Sequence, residues 1–248
     1  MQTIGILGMG EVGRAIKELA QGNFTILTKD LDHDSIHDNT LDILHVCIPF
    51  TNEFIDSVVA VANKAKPKLI IINATVAPGT TRQVAAATNI SCVHTPIMGI
   101  HPHLAKYQTQ FTKVIGAMDD AAFEAAKKHW LDLGAPQVEK FDSPEDSELA
   151  KLLCTTYYGW NIVFNKMVKR LTEKTDANFD QVYTRFSEIY NEGYAHSLPH
   201  VRRPILKFMD GPIGGHCVIP NLKILSQAFD EASFDFMLEF NEQLAKEK

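Results

Sequence analysis

The run Thr3-Ile4-Gly5-Ile6-Leu7 leads straight into Gly8-Met9-Gly10-Glu11-Val12-Gly13, after which Val12, Ala15, Ile16 and Leu19 recur at the spacing of one helix face. A strand, a glycine turn and a helix in that order leave few folds open. Three glycines spaced GxGxxG are common in isolation, but between a strand and a helix each has a task. Gly8 allows the turn, Gly10 lets backbone amides approach a pyrophosphate, and Gly13 lets the helix pack close. The helix N-terminus, with Glu11 and Val12 in its first turn, then faces the anion. Asp30 closes the next apolar run, Phe24-Thr25-Ile26-Leu27-Thr28, and is placed to accept hydrogen bonds from a ribose diol. That favours NAD over NADP, although Lys29 beside it is a cation that could meet a 2′-phosphate. The alternative is a plain turn with Asp30 on the surface.

The same alternation continues. Ile43-Leu44-His45-Val46-Cys47-Ile48 is a third strand stopped by Pro49, and further apolar runs at 69–72, 90–93 and 114–115 alternate with helical stretches, notably 119–133. This predicts an α/β fold, a Rossmann-type doubly wound, mostly parallel sheet, followed by an all-helical second domain with a long central helix. The polar turn Phe141-Asp142-Ser143-Pro144 sets the expected domain boundary, 1–142 and 143–248. Ser143 can cap the long helix, read over about 146–173, with Pro144 in its first turn. A second helix is expected over about 179–192, then a glycine-rich loop and a last helical segment.

With 248 residues, 45% of them hydrophobic, the chain can bury such cores. A net charge of −6 with no basic block argues against nucleic acid or an anionic membrane as partner. No apolar run spans a bilayer and no leader peptide is recognisable, so a cytoplasmic protein acting on a small molecule is expected. The four cysteines are irregularly spaced, so thiols rather than disulfides are expected. Cys217 follows two glycines, Gly214 and Gly215, where backbone can approach a ligand and a thiol stays accessible; it is either a nucleophile or part of a structural turn. Cys47, Cys92 and Cys154 lie in apolar patterns that suit core packing.

Five segments in order, 8–13, 42–49, 74–81 (Ala-Thr-Val-Ala-Pro-Gly-Thr-Thr), 147–152 (Ser-Glu-Leu-Ala-Lys-Leu) and 211–217 (Gly-Pro-Ile-Gly-Gly-His-Cys), resemble the UDP-glucose/GDP-mannose dehydrogenase family, especially its UDP-N-acetylmannosamine dehydrogenase branch. The resemblance implies oxidation of a sugar primary alcohol to a carboxylate with two NAD. Cys217 would trap the aldehyde as a thiohemiacetal that becomes a thioester, and Lys151 would stabilise the oxyanion. Thr75 would order a water near the nicotinamide, where Pro49 also lies. Arg202 or Arg203 would grip substrate, and the long helix would build a homodimer.

Three positions depart from the pattern. Thr155 stands where the family has Asn, Asn221 where it has Asp, and His94-Thr95-Pro96-Ile97-Met98 replaces a segment with a working glutamate. Compared with that family, the chain is expected to be a form lacking the carboxy-terminal nucleotide-binding domain. Losing acid–base helpers slows a step by roughly 10²–10⁴-fold, so thioester hydrolysis is expected to suffer. His94, His101 and His103 offer a replacement base or, for His101 and His103, substrate contacts; no metal is expected. Two other readings remain: a single-hydride enzyme like the β-hydroxyacid dehydrogenases, using Lys151, and a non-catalytic dinucleotide-binding protein.

Overall fold

The computed structural model describes residues 1–37, 39–215 and 217–246. The chain divides into two compact units, Met1–Lys151 and Leu152–Lys248.

The first unit is the expected α/β layer structure. Strands β1 (Thr3–Leu7), β2 (Thr25–Lys29), β3 (Ile43–Val46), β4 (Leu69–Ile72), β5 (Cys92–His94), β6 (Lys113–Ala117) and β7 (Val138–Phe141) form one seven-stranded sheet in the order β2-β1-β3-β4-β5-β6-β7. All pairings are parallel except β5 with β6. Helices α1 (Glu11–Ala20), α2 (Phe54–Ala65), α3 (Thr80–Thr88), α4 (Leu104–Gln108) and α5 (Asp120–Asp132) make the connections. Alternation along the strands sends side chains to two cores. Ile4, Ile6, Leu69 and Ile71 pack with Ile16, Ala126 and Trp130 from α1 and α5. Leu7, Ile70 and Ile72 pack with Phe54, Val58 and Val84 from α2 and α3. A sheet buried on both faces explains why β4 reads as an unbroken apolar run and β3 as one interrupted only by the buried His45.

Helix α6 (Pro144–Thr175) begins as expected: Ser143 Oγ accepts from Asp146 N and Asp146 Oδ2 accepts from Ser143 N, a reciprocal cap. The division between the two compact units falls inside this helix, after Lys151. Its first turns belong to the sheet layer, because Ser147 and Glu148 are fully buried against β5 and the start of α3.

The second unit is helical. It holds the rest of α6, α7 (Phe186–Tyr194), α8 (Val218–Ala228) and α9 (Ala232–Lys246). Residues 180–185, which the periodicity assigned to an ordinary helix, instead form a wider π-helical stretch leading into α7. Val163, Val218, Leu222, Met237, Phe240 and Leu244 make its core. Gly159 permits a close crossing, since a Cβ there would lie 2.7 Å from Val218 Cγ1. Among the described residues no helix is long and apolar enough to cross a membrane.

Candidate functional site

The three glycines of the first turn differ in what surrounds them. Gly8 has φ +94°, and a Cβ there would meet Cys47 C and Ile48 N at 2.9 Å. A Cβ on Gly13 would lie 1.9 Å from Gly8 O, so α1 presses directly on the turn. A Cβ on Gly10 would meet nothing within 4 Å. Gly10 also caps α1 without any side-chain acceptor, which leaves the first-turn amides at the positive end of the helix open to an anion. Asp30 closes the adjacent edge. Its Oδ2 accepts from Met9 N at 2.6 Å and its Oδ1 from Leu31 N at 2.8 Å, and these backbone donors, Leu31 foremost, hold its pKa below the ordinary value. Lys29 is engaged by Asp34, which also anchors Ile36 N and His37 N. Val12 is half-buried against the core on the α1 and α5 face, and Pro49 is exposed beyond β3.

Behind this turn lies a buried polar chain that the sequence did not reveal. His45 Nδ1 is 2.8 Å from Asn73 Oδ1, and His45 Nε2 is 2.8 Å from His129 Nε2. Asn73 Nδ2 donates to Thr95 O and Thr95 Oγ1. Since Asn73 Oδ1 only accepts, His45 carries its proton on Nδ1, so His129 must donate from Nε2. His129 Nδ1 is then a bare acceptor, in agreement with its lack of any partner. Burial lowers the His45 pKa from 6.5 to about 4 and lowers that of His129 as well, so both rings are neutral. Cys47, expected in the core, lies beside this chain, and burial pushes its pKa far up. Burial there disfavours its thiolate. The chain fixes the end of β4, from which Ala74 and the half-buried Thr75 follow.

Segments 74–81 and 147–152, far apart in sequence, interlock. The Glu148 carboxylate accepts from Gly79 N at 2.6 Å and from Thr81 N and Oγ1 at 2.8 and 2.6 Å, capping α3 from another helix. His94 is fully buried, with Nδ1 2.8 Å from Ser147 Oγ and Nε2 3.2 Å from Ala74 O. Burial lowers its pKa to about 3, so this imidazole is a structural link and not a base. Two lysine side chains grip the segment after β5. Lys151 Nζ donates to Ile97 O at 2.8 Å, and Lys113 Nζ donates to Pro96 O at 2.7 Å. Lys113 is 1% exposed, lies 3.9 Å from the Trp130 ring centroid, and has its pKa lowered well below the ordinary value by burial and then by Lys151. Its position in a strand gave no sequence signal for such a role. His101 Nδ1 approaches Glu11 Oε2 to 2.7 Å, while His103 is exposed at the start of α4. Among the described residues no group of side chains suits a metal ion.

In the second unit the segment leading to Cys217 is pinned along its length. Asn191 bonds Arg203 N and O, Tyr183 Oη accepts from Leu206 N, and Asn165 donates to Leu206 O. Lys166 Nζ donates to Met209 O and Gly211 O, both at 2.6 Å, and Asn241 Oδ1 accepts from Ile213 N at 2.6 Å. Lys166 and Asn241 were missed because neither belongs to a motif. The Arg203 guanidinium lies 3.7 Å over the Tyr190 ring and donates to Val201 O, which ties it down within this unit; Arg202 is exposed. Gly214 and Gly215 have open space where a Cβ would be, Gly215 at φ +85°. Cys217 is exposed immediately before α8; His216 lies outside the described residues. Asn221 is buried and donates to Thr155 Oγ1 at 3.0 Å, so two of the three positions that departed from the resemblance pair with each other.

No protein-family model matches the chain, and no curated protein does. Solved structures do match. The UDP-D-ManNAc dehydrogenase of Pyrococcus horikoshii aligns with 98% of this chain and 68% of its own at TM-score 0.81 and 17% identity. The UDP-N-acetyl-mannosamine dehydrogenase Cap5O of Staphylococcus aureus covers the same shares at TM-score 0.73 and 18% identity. The 3-hydroxyisobutyrate dehydrogenase of Mycobacterium tuberculosis aligns with 99% of this chain and 95% of its own at TM-score 0.69 and 15% identity. The fold is the one these dehydrogenases share.

Proposed function

We propose that this chain is an NAD-dependent oxidoreductase that oxidises a primary alcohol of a sugar or nucleotide sugar. One observation carries the reading: open space over Gly10 at an uncapped helix N-terminus, bordered by the Asp30 carboxylate. Gly8, Gly10, Val12 and Gly13 would line the diphosphate and Asp30 the ribose, with Pro49 and Thr75 toward the nicotinamide. NAD is preferred to NADP because Asp34 occupies Lys29, the cation nearest Asp30 in sequence, and leaves acidic charge at that edge. When bound, NAD accepts a hydride from the alcohol carbon, once per dinucleotide.

The chain's residues supply the rest. Lys151 would stabilise the oxygen from which the proton leaves. The exposed Cys217 thiol would add to the aldehyde carbonyl, giving a thiohemiacetal, and a second two-electron oxidation of that carbon leaves a thioester that water cleaves to acid and free thiol. The Asn221–Thr155 pair would contact substrate or order that water, but holds no carboxylate to deprotonate it. Arg202, Arg203, Gly214 and Gly215 would line the substrate, with His103 at its rim. The exposed Leu153, Tyr157, Phe164 and Leu171, on one stripe of α6, suit a second copy of the chain. The test is stoichiometry: two NADH per substrate and no turnover by Cys217→Ser, with NADH binding retained.

A single-hydride reading is favoured by one observation, the near-complete mutual coverage with 3-hydroxyisobutyrate dehydrogenase. One NADH per substrate, loss of turnover by Lys151→Met and tolerance of Cys217→Ser would establish it instead.

A further inference from the structure

The segment after β5 is built to deliver one imidazole to the glycine turn. Its backbone is gripped from inside the first unit: Lys113 Nζ donates to Pro96 O and to Gln108 Oε1, and Gln108 Nε2 donates to Met98 O at 2.6 Å and Leu104 O at 3.0 Å. Gly99, at φ +134°, packs so tightly that a Cβ would lie 2.6 Å from Tyr107 Cβ. Out of this clamp His101 reaches Glu11, the first residue of α1, with Nδ1 2.7 Å from Oε2. Nδ1 is sealed from solvent yet has no aligned hydrogen-bond acceptor, so close approach and not a directed bond joins the two groups.

Glu11 poses a problem that this contact addresses. A carboxylate is stabilised at a helix N-terminus, but there it competes with the diphosphate for the same positive end and repels it. We propose that His101 is a cofactor-affinity residue: its ring holds the Glu11 carboxylate away from the open face over Gly10 and, when protonated, offsets its charge, so that the diphosphate of a dinucleotide can occupy that face. His101 thereby moves from the substrate side, where the sequence placed it, to the cofactor side. The proposal rests on the dinucleotide reading of the glycine turn.

The test is a binding cycle by NADH fluorescence titration, repeated with ADP-ribose as a diphosphate probe without nicotinamide. His101→Gln is expected to weaken both ligands about five-fold, the scale of one partly exposed charge pair, and His101→Lys to retain affinity. In a Glu11→Gln background the His101→Gln effect should shrink below about two-fold, because the repulsion it offsets is gone. Equal losses in both backgrounds, equal losses for the Gln and Lys variants, or no loss at all would overturn the proposal while leaving the dinucleotide site intact. A folded wild-type protein that binds neither probe would instead remove the dinucleotide reading, and this inference with it.

Discussion

The two glycine turns of this chain contain similar residues under opposite constraints. At Gly8 and Gly13 the neighbours leave no room for a side chain, with backbone at 2.9 and 1.9 Å from a hypothetical Cβ. At Gly214 and Gly215 no atom lies within 4 Å. The first turn is dictated by packing of a helix on a sheet, and only Gly10 within it is spared for a ligand. The second is held from below by Lys166 and Asn241 and presents an accessible thiol. A glycine motif therefore says little until its contacts are known: one turn is a joint of the fold, the other an opening in its surface.

The contrast extends to acid stability and gives the largest expected effect. His45 and His94 are buried and neutral in the first unit, whereas His196 and His200 of the second are exposed. Folding lowers the pKa of each buried ring from 6.5 to about 4 and about 3, so below pH 6.5 the unfolded chain binds protons that the folded one refuses. Stability is complete above that pH and is lost as pH falls toward the folded values, by about 1.4 kcal/mol per pH unit for each ring. By pH 4.5 these two rings alone account for a loss of about 5 kcal/mol, and the buried His129 adds to it in the same direction, all within the first unit. Fluorescence of Trp130 in a Trp160→Phe variant, against Trp160 in a Trp130→Phe variant, should show the first unit unfolding at higher pH. Simultaneous transitions would break the comparison.

Next in size is Gly13→Ala. Forcing a Cβ against Gly8 O should destabilise the first unit by about 3 kcal/mol, read by urea unfolding, and abolish dinucleotide binding. Glu148→Gln follows. Its carboxylate holds Gly79 and Thr81 through three hydrogen bonds, and weakening them should cost about 2 kcal/mol in the same assay, with Glu148→Ala worse. The smallest effect belongs to Gly214→Ala, expected within about 0.5 kcal/mol of wild type because nothing opposes the added methyl. A large loss there would mean that the second turn is packed like the first.

Much of this was legible in the sequence, for a reason the two turns make plain. Local period and turn chemistry act over a few residues, so β1, α1, the doubly buried β3 and β4, and the Ser143 cap could all be read. The edge strand β7, Val-Glu-Lys-Phe, has no apolar period to announce it, and α4 is five residues long. Residues 180–185 carry helical spacing, and that spacing does not separate the wider π-helical turn, in which Tyr183 is buried, from an ordinary α-helix. Contacts across long sequence separations were invisible. His45 meets His129 84 positions away, Glu148 meets Thr81 67 away, and the buried Lys113 gives no hint of its carbonyl partners. The motifs named Lys151, Thr75 and Cys217, but not the groups that hold their segments in place.

The central claim is that a diphosphate rests over the first turn of α1, and Gly10→Ala tests it most directly. The added methyl meets no protein atom, so the melting temperature should stay at the wild-type value while calorimetric affinity for NAD falls at least about ten-fold, since the methyl occupies the space of the ligand. Unaltered NAD affinity in a folded Gly10→Ala protein would contradict the account.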